Sequence, residues 1–145
     1  MSLWRREALT RFPEMHQDIT EAIDKNYLWC EFFRGLQQAY QQGPPDAKRI
    51  AAIYNYALWS LKHRSISVRT AVVISFFEQL HDDVQIRRDL PRHLSQDDFD
   101  MLGFAWEYGT KQEFAELRRE FIANKTRIEK EKRTKGNLWH NIPSS

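Results

Sequence analysis

The sharpest chemical arrangement in the chain is Glu78-Gln-Leu-His81. A carboxylate and an imidazole three residues apart face the same side of a helix, the spacing used by di-iron carboxylate bundles. Asp82 and Asp83 add oxygen ligands beside the pair. A di-iron centre needs a second such motif and two further glutamates on facing helices, and this chain carries one motif only. An exposed helix C-terminus accounts for the same residues. Glu78 and His81 therefore stand as metal candidates beside that plainer reading, and no cofactor is expected.

Nucleophilic chemistry has less support. Cys30 is the sole cysteine, which excludes an intrachain disulfide and a cysteine-based metal knuckle. It sits in Tyr27-Leu-Trp-Cys-Glu-Phe-Phe33 with no His or basic neighbour, and reads as a buried structural thiol. The five glycines are scattered singly, so no phosphate-cradling loop is present. These features point away from an enzyme.

Two basic segments offer phosphate contacts: Arg5, Arg6 and Arg11 at the front, and Lys125, Arg127, Lys130, Lys132 and Arg133 near the end. Glu129 and Glu131 interrupt the second segment, and the formal charge of the whole chain is only +2. No global field draws it toward nucleic acid or membrane. Weak nucleic-acid binding through the two basic segments is the alternative function.

The main expectation is a non-catalytic role in protein contacts, with a protein partner or a second copy of the chain. Aromatic residues make up 13 % of the chain, enough that some must lie exposed after a core is filled. Exposed aromatics beside arginine anchor protein interfaces. Tyr56, Trp59 and Trp106, with Arg87, Arg88 and Arg92 from an irregular charged stretch, form the expected surface, although each aromatic taken singly fits a core position better.

The elements that must carry these residues are helices. An apolar share of 41 % over 145 residues supports a packed core, and few Gly and Pro leave little material for the turns of a β-sandwich. Trp4, Ala8 and Phe12 share a face of a first helix, with Ser2 as its cap. Pro13 suits a helical first turn, and Met15, Ile19, Ala22 and Ile23 follow at helical spacing through Glu14–Lys25. Leu28, Phe32, Leu36 and Ala39 form the stripe of a helix over Tyr27–Gln42 that Gly43-Pro44-Pro45 closes. Asp46 caps Ala47–His63, in which Ile50, Ile53, Tyr54, Ala57, Leu58 and Leu61 make one wide face. Ser67 caps Val68–Leu80, although the β-branched run Val72-Val73-Ile74 also suits a strand.

Beyond these, Pro91 argues against a continuous helix through 82–94. Ser95 with Asp98 resembles a capping box, and Phe99, Leu102 and Trp106 form a stripe that Gly109 ends. Thr110 with Glu113 caps a last helix whose first half buries Phe114, Leu117, Phe121 and Ile122. The basic run then frays toward Gly136.

The paired stretches Ile53-Tyr-Asn-Tyr-Ala-Leu-Trp-Ser-Leu61 and Val68-Arg-Thr-Ala-Val-Val-Ile-Ser-Phe-Phe-Glu-Gln-Leu80 resemble an uncharacterised family of small helical bacterial proteins, over about Leu28 to Phe121. The resemblance implies a bacterial origin and a helical fold, and an immunity or adaptor protein is the most concrete version of the expected role in protein contacts. It brings no catalytic residues. The expected architecture is all-α: a single-domain helical bundle or short HEAT-like stack of about six helices over 1–123, followed by a basic helical extension and tail over 124–145. With no apolar run of membrane-spanning length, the chain is expected in the cytoplasm.

Overall fold

The computed structural model describes residues 1–106 and 111–140. Every regular element among them is helical: α1 (Leu3–Arg11), α2 (His16–Glu21), α3 (Lys25–Gln41), α4 (Ala47–Leu61), α5 (Ile66–Ser75), α6 (Val84–His93), α7 (Gln96–Met101), α8 (Gly103–Trp106) and α9 (Lys111–His140). Short 3₁₀ segments at Pro13–Met15 and Phe77–Asp82 join α1 to α2 and α5 to α6. Nine described helices replace the expected six or so, because α6 forms within 82–94, where Pro91 argued against a continuous helix, and the helix expected after Ser95 is divided into α7 and α8 at Leu102. Val72–Ile74 is helical, not a strand.

The chain forms two compact units, Met1–Ile86 and Arg87–Ser145. The boundary falls within α6, whereas the sequence pattern suggested one after Ala123.

In the first unit α3, α4 and α5 pack against one another pairwise, and α1 packs on α2 and α4. The core is aromatic. Trp29 stacks on Tyr56 with ring centroids 4.9 Å apart, and Phe12, Phe32 and Phe76 close around them. Tyr56 is fully buried, and its hydroxyl donates to the backbone carbonyl of Trp4 at 2.7 Å.

Local chemistry sets the helix ends. Asp24 and Asp46 accept from the backbone N–H groups of Tyr27 and Arg49, giving α3 and α4 side-chain caps. Gly43 takes φ +42°, a left-handed turn conformation that a Cβ disfavours, and so reverses the chain after α3. Ser2 occupies the cap position of α1 in extended backbone, but its side chain makes no capping bond.

Four further expectations are corrected. The cap of α5 is Ser65, whose hydroxyl accepts from Val68 N–H, not Ser67. Helix α5 stops at Ser75, and the 3₁₀ turn that follows buries Phe76, Phe77 and Leu80 at its tighter three-residue spacing. Ile23 is 86 % exposed because α2 ends at Glu21 and the chain bends before Asp24, so helical spacing no longer applies. Pro91 lies inside α6. The lost N–H bond falls in the last turns of a helix that buries Ile86 and Leu90 one turn apart, and the Leu94 N–H bond to Leu90 closes the end.

The second unit is built on Phe99. Its ring stacks on Phe121 at 4.3 Å and contacts Trp106 at 4.8 Å, and Leu102, Ala105 and Ile128 are buried with it. The Ser95–Asp98 capping box opens α7 as expected. Gly103 opens α8 beneath the Phe114 ring, where a Cβ would approach Phe114 Cζ to 2.9 Å. Helix α9 runs through Gly136 to His140 instead of fraying there. Gly109, Thr110 and the tail beyond His140 lie outside the described residues, so the expected helix end at Gly109 and the Thr110–Glu113 capping box do too.

Candidate functional site

The metal candidates sit on the 3₁₀ turn Phe77–Asp82, not on an α-helix. His81 Nε2 lies 3.3 Å from Asp82 Oδ1. Among the described residues no group of three or more His, Cys, Asp or Glu side chains is placed to hold a metal ion. The geometry thus gives Glu78 and His81 no converging ligand set.

Two of the expected interface residues are buried. Tyr56 and Trp106 are core residues, and burial raises the Tyr56 phenol pKa far above its usual value. Trp59 is half-buried at the outer end of an aromatic stack: Tyr56 and Trp59 lie 5.9 Å apart and nearly parallel, and His63 sits 5.2 Å beyond Trp59. The Arg11 guanidinium lies 5.9 Å from both the Tyr56 and Trp59 rings, held by Glu7 at 2.8 Å.

Arg87, Arg88 and Arg92 act within the second unit. Arg87 donates to Glu120 at 2.9 Å, and Arg127 donates to the Arg88 carbonyl at 3.0 Å. Arg92 donates to Asp89 at 2.8 Å and lies 3.5 Å from Glu131, and these partners raise its pKa. These arginines tie α6 to α9.

The front basic residues divide in the same way. Arg5 donates to the carbonyls of Ile19, Thr20 and Ala22 at 2.6, 3.1 and 3.1 Å, and its guanidinium lies 4.7 Å over the Trp4 ring. It satisfies the C-terminal end of α2, where carbonyls have no helical partner. Arg6 is exposed. On α9, Lys130, Lys132 and Arg133 are exposed and Lys125 is half-buried, while Arg127 pairs with Glu131 at 2.9 Å.

Sequence reading passed over a cleft of about 440 Å³ between α3 and α5, lined by Cys30, Phe33, Arg34, Gln37, Ile74, Ser75 and Gln79. The α5 helix turns Val68, Ala71, Val72 and Val73 into the core and leaves Ile66, Thr70 and Ile74 outside at four-residue spacing. Ile66 is 70 % exposed and Ile74 is 49 % exposed. Across the cleft Phe33 is half-buried and Cys30 is exposed, correcting the expected buried thiol. Leu28 and Trp29 point inward, and one residue further round the helix Cys30 has left that face. At its inner end Ser75 donates to Asn26 Oδ1 at 3.0 Å, bridging α5 to α3. Arg34 is held over the rim by Glu31 at 3.0 Å.

This is an apolar seat with an amide and guanidinium rim and the exposed Cys30 thiol at its edge. Fold and site define an all-helical module with a surface cleft. The chain belongs to the family described as a domain of unknown function, DUF7674, whose model matches residues 5–97. The match spans the α3–α5 cleft and stops before α9. No curated protein and no solved structure matches the chain. Among the described residues no helix is long and apolar enough to cross a membrane.

Proposed function

We propose that the chain is a non-catalytic protein-interaction module, an adaptor or immunity-type protein working in the cytoplasm, whose contact surface is the α3–α5 cleft. The observation that supports this is the exposure of Ile74 opposite Phe33 and Cys30, in a cleft whose rim is Arg34, Gln37 and Gln79. Apolar side chains left in water at the centre of a polar rim match the anatomy of a recognition surface. A partner that seats one aliphatic or aromatic side chain between Phe33 and Ile74 would place its flanking backbone amides against Gln37 and Gln79. Both glutamines offer a donor and an acceptor to backbone groups. Helices α3, α4 and α5 pack against one another behind the cleft, which supports such a surface.

The test is photo-crosslinking from the full chain. A photoreactive residue replaces Gln79, and a control carries it at the exposed Lys48 on α4. The proposal expects discrete protein adducts from position 79 that position 48 does not give. A self-adduct would assign the surface to a homodimer and any other defined adduct to a separate partner. Identical diffuse adducts from both positions would contradict the proposal.

A further inference from the structure

We propose that the exposed part of α9 is a binding site for the phosphate backbone of duplex nucleic acid, separate from the α3–α5 cleft. Helix α9 is 30 residues long, and among its described side chains Ile128 is the last that is buried. Every residue from Glu129 to Lys135 is exposed. Four of them are cations: Lys130, Lys132, Arg133 and Lys135. Among the described residues none of the four forms an ion pair.

The acidic residues do not cancel them equally. Glu131 accepts from Arg127 at 2.9 Å and lies 3.5 Å from Arg92, so its charge is engaged inside the unit. Glu129 is the remaining carboxylate on the exposed stretch. At about 100° per residue, the four cations fall around the whole circumference of the helix and share no single side.

That distribution decides between polyanions. A helix that lies on an anionic membrane needs an apolar face opposite its basic one, and the described stretch Glu129–Lys135 carries no apolar residue. A basic helix in the major groove of a duplex meets phosphates on both walls, and the groove is wide enough to admit a helix. A groove of about 680 Å³ runs along the same stretch, with Arg127, Lys130, Thr134 and Lys135 among its lining residues, together with Glu131, which Arg127 engages. The Thr134 hydroxyl donates to the Lys130 carbonyl at 3.0 Å and is thereby turned onto the helix, so the contacts available there are charge contacts. Binding should therefore be insensitive to sequence.

The test is fluorescence anisotropy of the full chain with a labelled mixed-sequence DNA duplex of about two helical turns. With about four phosphates neutralised, raising salt from about 50 to about 200 mM should weaken binding roughly 150-fold. The triple variant Lys130→Glu, Lys132→Glu, Arg133→Glu should bind at least about tenfold more weakly at the lower salt, with a flatter salt dependence. The milder Lys130→Gln, Lys132→Gln, Arg133→Gln variant should fall between, and circular dichroism checks that both retain their helix. Absence of duplex binding by the unaltered chain at low salt overturns the proposal. So does equal binding by the folded charge-reversed variant, and so does binding to anionic phosphatidylglycerol vesicles with no binding to the duplex.

Discussion

The Tyr56 hydroxyl donates a 2.7 Å hydrogen bond to the backbone carbonyl of Trp4, joining α4 to α1 across 52 residues of chain. The phenol ring is meanwhile stacked between Trp29 and Trp59. One side chain thus supplies apolar burial and a specific polar tie. Replacing Tyr56 with Phe keeps the stack and removes the tie. The expected loss is about 1 kcal/mol, the net value of an ordinary buried hydrogen bond, read from urea denaturation.

The same phenol makes the fold sensitive to alkali. Burial is the main reason its pKa lies above the ordinary value of 10.0. The folded state therefore keeps the proton where the unfolded state releases it, so stability is intact below pH 10 and falls as pH rises past it. The expected slope from this residue is about 1.4 kcal/mol per pH unit above about pH 10. Denaturation curves between pH 9 and 11 check this, and Tyr56→Phe should show a correspondingly shallower fall.

Arg5 is a structural residue despite its place in a basic segment. Its three donations to Ile19, Thr20 and Ala22 carbonyls close α2. Arg5→Ala should cost about 1 to 3 kcal/mol, since charged donors hold these bonds and the packing over Trp4 is lost as well. Arg5→Lys should recover only part, because an ammonium lacks the planar fork that reaches several carbonyls at once. Thermal melts of the three proteins order them.

The core was legible in the sequence where helical spacing ran unbroken. Trp4, Ala8 and Phe12, then Leu28, Phe32, Leu36 and Ala39, then Ile50, Ile53, Tyr54, Ala57 and Leu61, are all buried as their spacing predicts, while Leu58 on the same face is half-buried. Spacing failed where the helix type changed. Phe76, Phe77 and Leu80 fit a 3.6-residue and a 3.0-residue period equally well over so short a stretch, so the break after Ser75 left no mark. Pro91 shows the opposite error, in which burial of Ile86 and Leu90 outweighs a missing backbone bond.

The cleft was not legible, and the reason is physical. Its apolar members come from α3 and α5, and their meeting is a tertiary event. Ile74 sits in the most apolar stretch of the chain, and only the position of α5 on α3 shows that it faces outward. The arginines misled in a different way. Arg5, Arg87, Arg92 and Arg127 look like a binding surface as a list, yet each is committed to a carbonyl or carboxylate of its own unit.

The measurement that bears most directly on the interaction reading is quantitative co-purification from the host, comparing the unaltered chain with Ile74→Glu and Ile122→Glu. Both positions are partly exposed, at 49 % and 37 %, so neither change should lower the melting temperature by more than a few degrees. The account predicts that a defined partner falls at least about tenfold with Ile74→Glu, the scale set by desolvating a charge in an apolar seat, and is retained with Ile122→Glu. Recovery of the same proteins in the same amounts from both folded variants would contradict it.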